Sequence, residues 1–346
     1  MTVMKKKTGT NKSRSGTIVD AAVLQIGRGV LRICWETNDP GGEAVIYHGK
    51  SPDAIDRSTP VAVSGDGCVD IDWLTPHARH YFEIVSGKSR MIVAERRVPL
   101  DGTVNFRDLG GYRTHDGRRV RWGRVFRADG LGKLTERDRA LLREMDVRRI
   151  VDFRTDSEIA NSPDRLPADD AVWIHLPVTH GKYDFGEAVK RFREGDTEWL
   201  NPDFMMDGYI GNIESFAHAW ERVVLEILDP EGGPLVFHCT GGKDRTGTCA
   251  ALILLAVGVP EETVIDDHQL SNIYIAQLLP ELHRLMSGQG IDPDRVFPYL
   301  TAPRDCIEGV IEHIRTRYGS AAGYFLERTV LTEEDLARLR DILLEA

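Results

Sequence analysis

Long apolar runs are missing from this 346-residue chain. The longest, residues 250–257, falls far short of the roughly 20 residues that cross a bilayer, so no transmembrane helix is expected. An excess of positive charge is missing too: 44 Lys and Arg stand against 54 Asp and Glu, a net charge of −10. Nucleic-acid binders want a basic surface, so that class is argued against, whereas one phosphate group needs only a local basic pocket. Cysteine is scarce and unpatterned. Cys34, Cys68, Cys239, Cys249 and Cys306 are odd in number and contain no C-x-x-C pair. That argues against a disulfide framework, a structural metal or a cofactor held by thiolates, and favours a reducing, cytoplasmic compartment. The basic, Ser/Thr/Gly-rich first residues lead into no apolar segment, so residues 1–20 read as a disordered leader rather than a secretory signal.

Two textures fill the rest. The chain is longer than one hydrophobic core usually covers, and 41% hydrophobic with 28% charged residues suits a soluble globular protein. Over residues 21–99, short β-rich runs alternate with turn clusters. Val30-Leu31-Arg32-Ile33-Cys34-Trp35, Ala44-Val45-Ile46-Tyr47, Val69-Asp70-Ile71-Asp72-Trp73 and Tyr81-Phe82-Glu83-Ile84-Val85 all read as strands. Asn38-Asp39-Pro40-Gly41-Gly42 and Ser64-Gly65-Asp66-Gly67 supply turns, and a small antiparallel β-sandwich is expected. Leu74-Thr75-Pro76 followed by Tyr81 resembles the turn and corner tyrosine of a fibronectin type III-like domain.

Over residues 101–346, strands alternate with helices, which predicts an α/β domain with a central, mostly parallel sheet. Arg124-Val125-Phe126-Arg127, Arg149-Ile150-Val151-Asp152-Phe153 and residues 171–176 are strand-like. Thr135 and Asp138 have capping-box spacing at the start of an amphipathic run to residue 145, and Thr332 with Asp335 repeats the device before 332–344. Tyr209, Ile213, Phe216, Trp220, Val223 and Ile227 predict one long helix with a buried stripe, read as core. Further helices are expected over 280–286 and 305–318.

The chemistry concentrates after Leu235-Val236-Phe237-His238, a short apolar strand. It stops at Cys239-Thr240-Gly241-Gly242-Lys243-Asp244-Arg245-Thr246-Gly247, and an apolar helix follows. Gly241 and Gly242 let the backbone curl so that N–H groups converge on an anion, and the helix start aims its positive end at the same point. Arg245 can return its guanidinium fork to grip two phosphate oxygens. A thiol in that field ionises readily, so Cys239 can attack phosphorus and form a cysteinyl-phosphate. Thr246 is placed to ease the departure of that sulfur. His238 and Gly247 read as structural support, and Cys249 as packing. The loop lacks a G-K-[ST] ending, which removes the nucleotide-binding P-loop.

His-Cys, five residues and Arg resemble the cysteine phosphatase loop. Together with Asn105-Phe106-Arg107-Asp108-Leu109-Gly110-Gly111, Val151-Asp152-Phe153-Arg154 and Tyr318-Gly319-Ser320, they resemble the atypical bacterial tyrosine phosphatases, a group that includes a listerial lipid phosphatase. The resemblance spans about 101–346. It implies metal-free, cofactor-free hydrolysis of phosphotyrosine, often of phosphoserine and phosphothreonine, with phosphoinositide as the alternative substrate. Thr240, Gly241, Gly242, Lys243 and Arg245 would bind the phosphate, and Lys243 with Asp244 match the feature linked to broad range. A phospho-binding module without catalysis is the rival from another class, disfavoured because Cys239 is present.

The proton donor is the open position. Where the resemblance looks for a loop aspartate, the chain reads Val178-Thr179-His180-Gly181-Lys182-Tyr183-Asp184. Asp244 is the first candidate, followed by His180 and Asp184. Arg107 and Asp108 either line the mouth of the site or support it from below, and Arg154 is open to the same two readings.

Overall fold

The computed structural model describes residues 16–27, 29–38, 42–72, 77–179, 187, 190–192, 194–196, 199, 202–288 and 290–345. The chain divides into two compact units between Glu95 and Arg96. Among the described residues, eight strands make the first: β1 (Ile18–Gly27), β2 (Val30–Thr37), β3 (Ala44–Gly49), β4 (Ile55–Asp56), β5 (Ala62–Ser64), β6 (Cys68–Asp72), β7 (Tyr81–Ser86) and β8 (Ser89–Ala94). They form two antiparallel sheets, β1-β2-β6 and β4-β3-β7-β8, with β5 added to β3. Period-two alternation sends Leu31, Ile33, Trp35, Ala44, Ile46, Phe82 and Ile84 into one shared core.

Two expectations need correction here. β1 begins at Ile18, inside the stretch read as leader, and Ile18 is itself core. Cys34 and Cys68 stand opposite one another in the β2–β6 register and form a disulfide, while Cys239, Cys249 and Cys306 are free and buried. The pair is 34 positions apart in the sequence. Only strand register could have shown it, and the cysteine count no longer argues for a reducing compartment. Residues 1–15 and the turn Leu74-Thr75-Pro76 lie outside the described residues.

The second unit adds β9 (Arg107–Asp108), β10 (Arg119–Val120), β11 (Val125–Ala128), β12 (Arg149–Asp152), β13 (Val172–His175), β14 (Leu235–His238) and β15 (Leu344–Glu345). Its main sheet runs β13-β12-β14-β11-β9, parallel except for β9. Strands β11 and β14 are buried at every residue, as parallel strands covered on both faces should be. Both capping boxes form, Thr135 with Asp138 and Thr332 with Asp335. The helices Arg304–Tyr318 and Leu279–Gly288 fall where expected. Glu261–Ile275 and Pro293–Leu300 were not anticipated. Among the described residues, no helix is long and apolar enough to cross a membrane.

The long helix predicted through residue 227 is two helices, Pro202–Ser215 and Ala217–Leu228. The break has a local cause. Trp220 Nε1 donates to Asn212 O at 3.0 Å, Tyr324 Oη to Ile213 O at 2.7 Å, and Arg328 Nη2 to Glu214 O at 2.7 Å. An unbroken helix would give those three carbonyls to residues 216–218. Side chains therefore cap the first helix, and Tyr324 contributes from the segment after Tyr318-Gly319-Ser320. The aromatic stripe is core, with Trp220 edge-on to Phe153 at 5.1 Å.

Candidate active site

Strand β14 ends at His238 and the next helix, Asp244–Ala256, begins after five intervening residues, so Cys239 to Lys243 must make the turn. Gly242 has φ +65°, and a Cβ there would sit 2.5 Å from Ala128 O, so glycine is required on both counts. Asn105 Nδ2 donates to Gly241 O at 3.0 Å and to Gly242 O at 3.1 Å, and Arg127 Nη2 donates to Gly242 O at 2.8 Å. Because each peptide is planar and trans, fixing these carbonyls outward turns the next N–H groups the other way, toward the inside of the curl. Cys239 lies at the start of the curl, 2% exposed.

Arg245 is held before any substrate arrives. Glu158, on the short helix Asp156–Asn161, takes its Nη1 and Nη2 at 2.7 Å each, a two-point fork, while Phe153 O and Val178 O accept from Nη1 at 3.3 and 3.2 Å. Thr240 Oγ1 also donates to Glu158. Burial alone would raise the Glu158 carboxyl and lower the Arg245 guanidinium. Their hydrogen bonds and charges override it, leaving Glu158 at about 2 and Arg245 above its ordinary value. Nothing in the sequence reading pointed to Glu158. Its local signal is a capping box with Thr155, which says helix start and nothing about a partner far along the chain.

Arg107 and Asp108 are both fully buried. Arg107 pairs with Asp267 (Nε–Oδ1 3.1 Å) and also reaches Asp267 O and Ser271 Oγ. Arg127 meets the other Asp267 oxygen at 2.6 Å, and Tyr112 Oη donates to Oδ1 at 2.9 Å. Burial and the neighbouring Arg107 bring Arg127 down to about 10, while the surrounding guanidinium groups, against the effect of burial, keep Asp267 far below the carboxylate range. Asp108 accepts from the N–H groups of Gly110 and Gly123, at 2.8 and 2.9 Å. Gly110 and Gly111 pack on Trp122 with no room for a Cβ.

Arg154 is buried as well. It grips Asp152 through Nε and Nη2, meets Asp164 at 2.7 Å and is 2% exposed. His238 joins the same group, its Nε2 3.0 Å from Asp164 and 3.8 Å from Asp152. Burial would lower this imidazole, yet the two carboxylates raise it above its ordinary value, so it favours the positive form directly before Cys239. Asp152, Asp164 and His238 have donor atoms close enough to share a cation, but Arg154 already pairs with both carboxylates.

Asp244 sits in the first helical turn. Lys243 Nζ reaches its two oxygens at 2.9 and 2.6 Å, and Tyr209 Oη donates to Oδ1 at 2.7 Å. Lys243 Nζ also lies 5.6 Å from the Tyr299 ring centre. Among the described residues, Thr246 Oγ1 is buried without a hydrogen-bond partner. Gly247 packs against His268, which leaves no space for a side chain. His180 and Asp184 lie outside the described residues.

Residues 98–345 match the tyrosine phosphatase family. A Cupriavidus necator protein named as a tyrosine-protein phosphatase is 30% identical over 243 residues, covering 70% of this chain and 86% of that one. The triple specificity protein phosphatase PtpB of Mycobacterium tuberculosis is 26% identical over 282 residues, covering 71% and 98%. The crystal structure of P. aeruginosa TpbA is similar at 17% identity over 53% of this chain and 89% of its own, with a TM-score of 0.24 that adds nothing to the assignment. The family match covers most of the chain and contains the whole Cys239–Arg245 loop: this protein belongs to the tyrosine phosphatase family and is a phosphatase, a hydrolase of phosphoesters.

Proposed function

We propose that the chain hydrolyses phosphotyrosine, and phosphoserine or phosphothreonine beside it, through a phosphate ester of Cys239. The observation that carries this is the pre-set Arg245 fork, fixed by Glu158 beside a buried cysteine at a helix start. Cys239 Sγ attacks phosphorus as the ester P–O bond breaks, with Arg245 and the loop amides stabilising the equatorial oxygens. Asp244 gives its proton to the departing oxygen. It then takes one from the water that attacks phosphorus, the S–P bond breaks, and inorganic phosphate leaves; Thr246 Oγ1 is available to the released sulfur. At rest Lys243 and Tyr209 favour Asp244 as a carboxylate. A bound phosphate attracts Lys243 and adds negative charge, and both effects favour the acid form that donates. Turnover of an aryl phosphate by the wild type, its absence in Cys239→Ser and its indifference to EDTA are the expected results. Turnover by Cys239→Ser, or loss with EDTA, would refute the scheme.

Phosphoinositide is the second reading, favoured by Lys243 as an additional cation beside the cradle. Parallel assays of phosphopeptides and phosphoinositides decide between them. We read the first unit as a fibronectin type III-like sandwich, supported by its two antiparallel sheets and buried Tyr81, and place no catalytic residue in it.

A further inference from the structure

The side chains behind Asp244 form a hydrogen-bond chain whose direction can be followed from donor to acceptor. It starts from a backbone amide, whose direction is not in question. Ala302 N donates to Asn272 Oδ1 at 2.8 Å, so the Asn272 amide is oriented with its Nδ2 as donor. Asn272 Nδ2 donates to Gln269 Oε1 at 3.0 Å, which orients Gln269 in turn, and Gln269 Nε2 also donates to Ala302 O. Gln269 Nε2 lies 3.2 Å from His268 Nδ1 and can only donate to it. His268 is buried, and burial followed by the charge of Arg127 lowers it to about 3, so it is a neutral imidazole with one proton. With Nδ1 accepting, that proton is on Nε2, 2.9 Å from Tyr209 Oη. Tyr209 is fully buried and has one proton to give, and Asp244 Oδ1 at 2.7 Å receives it.

We infer that Tyr209 is a positioning residue for Asp244, and that Ala302, Asn272, Gln269 and His268 fix the direction of its hydroxyl. The inference rests on Asp244 as the proton donor. The chain has two consequences. It holds the carboxyl in one rotamer as Lys243 moves to the substrate, and it sets how strongly the carboxyl keeps its proton. Among the described residues, the groups that face Asp244 include Lys243 on its own loop, Tyr209 from Pro202–Ser215, His268 from Glu261–Ile275 and Cys306 from Arg304–Tyr318. Asp267, Arg107 and Arg127 lie behind His268. Burial and the charge of Asp244 push the Cys306 thiol up to about 11, so neither it nor His268 titrates near neutral pH.

The test is the pH dependence of kcat on a phosphotyrosine peptide, whose leaving group needs a proton, beside an activated aryl phosphate that leaves unaided. Tyr209→Phe removes one hydrogen bond to the carboxylate, so Asp244 keeps its proton to higher pH. The alkaline limb on the peptide should move up by about one pH unit, the size of one hydrogen bond to a charged group, while the activated ester should not show the shift. Gln269→Glu probes the far end. A carboxylate there accepts from Nδ1–H, moves the imidazole proton off Nε2 and turns Tyr209 toward His268. It should move the same limb in the same direction, and it keeps the inference testable if Tyr209→Phe fails to fold. If Asp244→Asn removes the limb but both variants leave it in place, the chain has no role in positioning and the inference is overturned. If Asp244→Asn slows both substrates equally and leaves the limb unchanged, the proton-donor assignment itself fails and takes the inference with it.

Discussion

In the first unit, Arg32 and Asp70 pair across a sheet face with 44% of each side chain exposed, and even buried Glu83 is met by Arg57 and Arg90, both more than half exposed. In the second unit, Arg107, Arg127 and Asp267, like Arg154 and Asp152, pair with 2% exposure or less. Burying an ion costs several kcal/mol, and an interior ion pair is no better for stability than well-packed apolar side chains. The sandwich core is aliphatic and aromatic, with a disulfide across two strands, and its buried charged side chains, Arg79 and Glu83, reach a backbone carbonyl and two exposed arginines. The second unit carries such charges around one loop, where Arg127 takes a loop carbonyl, Glu158 takes Arg245, and Asp164 faces the histidine before Cys239. The contrast shows that these charges serve the geometry of the loop at a cost in stability.

The largest expected break in that contrast is at the loop itself. Cys239→Ser should fold normally and lose on the order of 4 kcal/mol or more of transition-state stabilisation, and Arg245→Lys should approach it because an ammonium cannot reproduce the fork. Steady-state kinetics on an aryl phosphate measure both.

Glu158→Gln comes next, because it cuts the support of Arg245 and Thr240 together. The folded carboxyl lies at about 2 against an ordinary 4.5. A depressed acid contributes stability above its unfolded value and loses it as pH falls toward the folded one. Denaturant unfolding should show the variant about 3 kcal/mol less stable at neutral pH, with the gap closing between pH 4.5 and 2.

Asp164→Asn should act the other way with pH and more weakly. The His238 imidazole is raised, so its pairing contributes fully below its unfolded value near 6.5 and is lost as pH rises through the folded value. The wild type's advantage in melting temperature should be greatest below pH 6.5 and narrow above it. It should not vanish, since Arg154 still pairs with Asp164.

The smallest effects belong to the first unit. Arg32→Ala, at an exposed pair, should leave aryl phosphate turnover and melting unchanged. A truncated chain starting at Arg96 should turn over aryl phosphates at close to the full-length rate. One starting at Leu100 should be less stable, because Arg96 donates to Asp108 O and Gly110 O and lies 3.7 Å from the Tyr112 ring centre, and Val98 is buried.

What the sequence revealed and what it hid follow the range of the interactions. Cys239 through Gly247 was legible because thiol, glycines, arginine and helix start are consecutive, and the capping boxes at Thr135 and Thr332 span four residues each. Glu158 was invisible because its partner is 87 residues away. Tyr209 was read as core, correctly for its ring, while its hydroxyl works on Asp244. The break at Phe216 depends on Tyr324 and Arg328, more than a hundred residues downstream. That Arg107 and Asp108 are shut off from solvent is something a motif cannot express.

The central claim is a covalent phosphate on Cys239. Rapid acid quench of the wild type during turnover of a phosphotyrosine peptide, followed by mass spectrometry of the Cys239 peptide, should find a transient phosphate adduct on that sulfur and none in Cys239→Ser. An adduct on another residue, or full turnover with no adduct at any quench time, would contradict the account.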